Sequence, residues 1–238
     1  MAQELRATQP LGLVLENQVA SIPPLDLGKH QRAPLRVLVA NQNRGEEHQR
    51  ISAALGQWTD ADPQLQVVVV ADRALAQRLP PEKLEFHPML DYVQYRALLR
   101  SCQIALLPLA PGVANGCKTP IKLLECGAES VAVVCGPELY GRFAPPGVAA
   151  VAPQLEAVVG MARELAGDRQ QRLEQVLQAH AWVKDQWHLA PAIATRLWLY
   201  QLVWRRRQQL DQRLVERLNH DPTVPDLQHA DFGSRIPQ

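Results

Sequence analysis

Lys118, Lys122 and Glu125 lie four and three positions apart, the spacing that lines side chains along one face of a helix. They sit inside residues 104–135, which read as strand, loop, helix, strand. Ile104 to Leu109 is a short apolar run suited to a buried strand. The loop from Ala110 to Cys117 holds Pro111, Gly112 and Gly116, so its backbone can take unusual turns. Thr119 and Pro120 have the form of a helix start, with Thr119 as N-cap and proline at the first helical position. Open helix amides facing a glycine-rich loop after a strand attract anions, and the two lysines add positive charge. Glu125, one turn further in, can accept hydrogen bonds from sugar hydroxyls. The set suits a nucleotide with its phosphates at the helix end. Spacing alone also fits an ordinary βαβ unit with two solvated lysines.

The surrounding elements place this stretch at one edge of a sheet. Leu35–Ala40 and Gln66–Val70 are β-branched and apolar, as strands are, and Leu84–His87 is a shorter one. The turn-rich loop Asn41–Gly45 leads into a helix over 46–58, with Ile51, Leu55 and Trp58 on one side. Arg44 falls at the carboxyl end of the first strand, where open α/β sheets bind ligands, and His48 is expected on the polar face of the helix. The loop His87–Leu90 reaches the same edge, and a core or capping role suits His87. Asp91 is a plausible N-cap for a helix over 92–101, with Val93, Ala97 and Leu98 as its core face. After Val131–Cys135 come a short helix at 138–143, a strand at 148–151, and helices over 153–166 and 168–187, the last with Trp182 and Trp187 as docking anchors. The alternation predicts an α/β fold: a doubly wound, mostly parallel, Rossmann-like sheet with a long C-terminal helical extension.

The ends differ in composition. Residues 1–34, broken by Pro10, Pro23, Pro24 and Pro34, read as an N-terminal arm or linker to the domain at 35–188. Residues 189–220 read as one amphipathic helix, with Tyr200, Val203 and Trp204 leading into Arg205, Arg206 and Arg207. Such a helix packs on its own domain, docks on a partner or lies on a membrane. The stretch 221–238 reads as a disordered tail.

Several function classes are disfavoured. The 238 residues carry 25 Lys and Arg against 24 Asp and Glu, so no global basic field recommends nucleic acid. The four cysteines, Cys102, Cys117, Cys126 and Cys135, form no CxxC pair, which argues against structural zinc and for reduced thiols in a cytosolic protein. Cys102 and Cys135 are expected in the core, and nothing marks Cys117 as a nucleophile. No signal peptide or spanning apolar run is visible. There is no GxGxxG, no GxxxxGK[ST] and no GxSxG. Asp91, Glu125 and Glu138 offer carboxylates, but none is paired at acid/base spacing.

Residues 91–109, DYVQYRALLRSCQIALLPL, followed by 115–134, NGCKTPIKLLECGAESVAVV, resemble the carboxyl-terminal, donor-binding half of GT-B fold glycosyltransferases. The likeness runs from Leu35 to about Trp187 and is carried by Pro108, Lys118, Lys122, Glu125, Gly127, Val133 and Val134. It implies that Glu125 holds the donor's ribose hydroxyls, and that Lys118 and Thr119 meet the donor sugar or diphosphate. Lys122 either joins them or pairs with Glu125 or with the loop of Cys117. Arg44 would meet the diphosphate, and Met89 and Leu90 would flank the base. Cations and helix amides would stabilise the nucleoside diphosphate leaving group, so no metal cofactor is expected.

This chain departs from the family pattern in three ways. Where many retaining members carry two glutamates eight positions apart, Cys117 occupies the first place and Glu125 the second. Arg44 has no companion lysine in its loop. The family's amino-terminal acceptor domain exceeds what 34 residues can supply, which suggests a fragment, one half of a split enzyme or a donor-domain relic. The expectation is a glycosyltransferase donor half acting on a glycan or lipid-linked acceptor. It would be cytoplasmic, with peripheral membrane contact through 190–219 and an acceptor-domain partner. The alternative is a non-catalytic Rossmann-like binding or scaffold module.

Overall fold

The computed structural model describes residues 15–40 and 44–219, with side chains through residue 216. Asn41, Gln42 and Asn43 of the first loop and the tail 221–238 lie outside the described residues. The chain divides into two units, at Leu189. In the first, six strands, β1 Leu35–Val39, β2 Leu65–Val70, β3 Leu84–His87, β4 Ile104–Leu107, β5 Ala132–Cys135 and β6 Ala150–Val151, form one sheet in the order β3-β2-β1-β4-β5-β6. Every pairing is parallel. The chain winds outward to β3 and then returns to the other side of β1, which makes β1/β4 the topological switch point.

Alternation along each strand serves two cores. Val37 and Val39 face α1 (Gly45–Ala61), packing with Ile51, Leu55 and Trp58, and with α7 (Val158–Gly167) through Val158, Val159, Ala162 and Leu165. Leu38, Ala105 and Val133 face the other layer, built by α3 (Tyr92–Ser101), α5 (Ile121–Ala128) and α8 (Arg169–Gln186). Both faces are buried, so the strands read as continuous apolar runs. The short helices are α2 (Arg73–Ala76), α4 (Val113–Gly116) and α6 (Leu139–Phe143). Gly127 lets α5 approach α8: a Cβ there would stand 2.8 Å from Val183 Cγ2 and 3.1 Å from the Ala179 carbonyl oxygen. Trp182 and Trp187 flank Phe143, with ring centroids 5.7 and 4.8 Å from it, and anchor this end of α8. Cys102, Cys126 and Cys135 are all buried thiols, and burial pushes the last two up to about 12.

The core face expected of α3 is corrected. Val93 and Ala97 are exposed; α3 instead buries Leu99 and Arg96, because a carboxylate waits for the arginine. The described part of the arm, residues 15–34, is a strap laid on the domain. Val19 bridges to His188, the Asp26 amide donates to Ser130 Oγ, and buried Lys29 donates to the carbonyls of Arg100 and Glu129. The Ser21 carbonyl accepts from Arg96, the Pro23 carbonyl accepts from His180, and Gly28–Gln31 forms one turn of 3-10 helix.

The second unit holds two helices where one was expected: α9 (Leu189–Arg205) and α10 (Arg207–Asn219), broken at Arg206. No described helix is long and apolar enough to cross a membrane.

Candidate functional site

The carboxyl edge at β1/β4 gathers cations from three elements. Arg44 sits at the N-cap position of α1, and its Nη1 donates to Asn115 Oδ1 at 2.8 Å. Asn115 belongs to α4, in the loop after β4. Lys118 Nζ donates to the same Oδ1, also at 2.8 Å. Lys122, in the first turn of α5, donates to the Ala40 carbonyl at the end of β1, at 2.7 Å. Its ammonium lies 4.9 Å from the centre of the Tyr95 ring, a cation–π distance. Desolvation, with repulsion from Arg44 in both cases, lowers the pKa of Lys118 and of Lys122. Glu47 lies within 3.4 Å of Arg44 and of the Ala110 amide, supplying a nearby carboxylate.

Glu125 stands one turn behind Lys122 and is 5% exposed. Burial raises its pKa, while Lys122 and the hydroxyls of Tyr92 and Tyr95 favour its charged form. Tyr92 in turn accepts from Arg96 at 3.0 Å.

Arg44, Lys118, Lys122 and Glu125 therefore come together. Thr119 lies beside them but does not cap α5: Pro120 takes the N-cap position without a side-chain hydrogen bond, and Thr119 Oγ1 accepts from Asn17 Nδ2 of the strap at 3.1 Å. The helix begins one residue later than the Thr-Pro pair suggests, leaving its first turn without a side-chain cap. Met89 and Leu90 follow β3, which β2 separates from β1, so the fold does not bring them into the cation group. Met89 is exposed, and Leu90 packs half-buried on the core.

The site residues missed in the sequence are Asn115, Glu47, Tyr92 and Tyr95. The two tyrosines at i, i+3 after Asp91 were a visible signal, since that spacing puts them on one helix face. Asn115 had no signal, because its role comes from elements 71 residues apart. His48 also departs from expectation: it is buried, with Nδ1 2.5 Å from Asp72 Oδ2, because the loop after β2 brings a carboxylate to α1. His87 pairs with Glu85 at 2.8 Å. Among the described residues no group of three or more His, Cys, Asp and Glu could hold a metal ion.

An all-parallel sheet with its switch point at β1/β4 and helices on both faces is the fold of the carboxyl-terminal half of GT-B glycosyltransferases. The similar solved structures say so individually. The C-terminal domain of the group 1 family glycosyl transferase LpcC from Francisella tularensis aligns over 74% of this chain and 100% of its own, with a TM-score of 0.54 at 12% identity. A glycosyltransferase from Rickettsia africae aligns over 85% of this chain and 61% of its own, with a TM-score of 0.61 at 13% identity. HepE from Anabaena, in complex with UDP and glucose, aligns over 79% and 57%, with a TM-score of 0.59 at 14% identity. The chain thus spans a whole isolated C-terminal domain and little more than half of the longer proteins. No family model and no curated protein matches its sequence.

Proposed function

We propose that this chain is the donor-binding half of a glycosyltransferase, transferring a sugar from a nucleotide sugar to a glycan or lipid-linked acceptor. The observation that carries the reading is the convergence of Arg44, Lys118 and Lys122 at the β1/β4 switch point, beside the uncapped start of α5. A nucleoside diphosphate laid there places its charge against three cations. When the bond from the anomeric carbon to the diphosphate oxygen breaks, the electron pair passes to that oxygen, and these cations neutralise the charge it brings. No metal is required for that stabilisation. Glu125 would take the ribose hydroxyls, with Met89 and Leu90 bordering the base. The UDP bound by HepE supports a diphosphate ligand in this fold. The acceptor side of the cleft would come from an acceptor-type domain. The arginines of 190–219, on helices that also expose Trp198 and Trp204, suit peripheral contact with the inner face of a membrane, in a cytoplasmic protein.

One observation favours the second reading, a non-catalytic module built on the same fold: Glu125 is buried, and burial raises its pKa against the charged form that would take ribose hydroxyls. Titration calorimetry with a panel of nucleoside diphosphates and nucleotide sugars separates the two. The donor reading expects binding, and a loss of about 1.5–3 kcal/mol in Glu125→Ala and in Lys118→Ala, the scale of a charged hydrogen bond. Absence of binding across the panel, or Glu125→Ala binding as the parent does, would sink it.

A further inference from the structure

The amide oxygen of Asn115 accepts from two cations at once, Arg44 Nη1 and Lys118 Nζ, each at 2.8 Å. Its orientation is fixed by its other end. Nδ2 donates to the Ala110 carbonyl at 2.9 Å and approaches Glu47 Oε1 at 3.4 Å, so a flipped amide would turn oxygen toward oxygen and nitrogen toward two cations. One neutral oxygen between two positive groups is a weak acceptor for that place, since both donors form stronger bonds to an ionised oxygen. The repulsion between Arg44 and Lys118, which helps lower the lysine's pKa, is offset in part by Glu47, 3.4 Å from Arg44, and not by the neutral amide between them. A phosphate oxygen would relieve it.

We infer that the Asn115 amide oxygen is a built-in competitor, occupying the place of a phosphate oxygen between Arg44 and Lys118 until a diphosphate displaces it. The inference rests on the donor reading for its natural ligand but on the three side chains alone for its geometry. The ligand class is a diphosphate, free or esterified. Displacement moves the Asn115 side chain off the two cations. The Nδ2 bond to Ala110, at the start of the loop, is then the contact it gives up or keeps as the loop shifts.

The test is titration of the full chain with inorganic pyrophosphate and, separately, with UDP. Asn115→Ala removes the competitor and should tighten pyrophosphate by about 3- to 10-fold, the size of one net hydrogen bond. Asn115→Asp substitutes a charged competitor and should weaken it by at least about 10-fold, with the loss shrinking in added salt. Asn115→Ser, too short to span both cations, should follow alanine, and guards against a folding defect in either variant. Asn115→Ala and Asn115→Ser both weakening pyrophosphate would overturn the inference, because the amide would then be a ligand contact and not a placeholder. Failure of the parent and all variants to bind pyrophosphate would overturn it as well. If the pyrophosphate order holds while UDP gains nothing over pyrophosphate, the inference stands and the donor reading falls. If UDP binds tightly yet Asn115→Ala weakens both ligands, the donor reading stands and this inference falls.

Discussion

The two ends of α5 both gather cations and treat them differently. Past its last turn, Glu129 is almost wholly buried and accepts from Arg96 at 2.8 Å and Arg100 at 2.6 Å. Lys29 of the strap donates to two backbone carbonyls there, and Arg96 also reaches Tyr92 and the Ser21 carbonyl. At the other end, Arg44 and Lys118 share one neutral amide oxygen, Glu47 comes no nearer to Arg44 than 3.4 Å, and Lys122 reaches a carbonyl and a tyrosine ring. The first group has its donors directed to carboxylate and carbonyl acceptors, and it holds the strap to the domain. The second keeps donor capacity at the edge where parallel sheets bind ligands. Saturation of hydrogen-bond donors, more than the count of charges, separates a structural cluster from a binding one.

The comparison breaks most readily at Glu129. Glu129→Ala strands Arg96 in a buried place and should cost about 3–5 kcal/mol in urea unfolding, without selective loss of nucleotide binding. A cost below about 1 kcal/mol would show that the cluster is not structural.

The strap supplies a pH test. Burial holds His30 down at about 4, against an ordinary 6.5. Between those values the unfolded chain binds more protons, so stability falls as pH drops from 6.5 toward 4, by roughly 3 kcal/mol at full effect. Denaturation at pH 7 and pH 5 should show the slope, and His30→Gln, which keeps a donor for the Ser130 carbonyl, should flatten it. Lys29, pushed down to about 8 by burial, works in the same direction at the alkaline side: stability should rise between pH 8 and 10.5.

Between the two ends, Gly127→Ala forces α5 off Val183 and the Ala179 carbonyl and should destabilise by about 1–3 kcal/mol, read as a lowered Tm. The smallest stability effect belongs to the binding end. Lys118 is exposed, so Lys118→Ala should change stability by no more than about 0.5 kcal/mol while removing diphosphate affinity. Equal losses of stability at Lys118 and Glu129 would erase the distinction.

Much of the framework was legible in local sequence. The strand at Leu84–His87 and the helix at Tyr92–Ser101 fall where the sequence reading placed them, and Asp91 caps the latter in a reciprocal capping box. Short apolar runs and a cap act over a few residues, which is why they can be read that way. The face of α3 could not be read so, because Arg96 is buried only where Glu129 meets it from 33 residues away. Thr119 misled for a related reason: its hydroxyl is taken by Asn17, 102 residues distant.

The sequence by itself determined the alternation of strands and helices, the parallel sheet that follows from it, and the presence of Lys118, Lys122 and Glu125 around one helix start. Tertiary structure alone decided that the chain crosses back past β1 to place β4 beside it, that Arg44 and Lys118 meet at Asn115, and that Glu125 is buried. Strand and helix preferences are set by neighbours along the chain. The partner of a buried or converging charge is set by whichever distant segment the fold brings within hydrogen-bond reach.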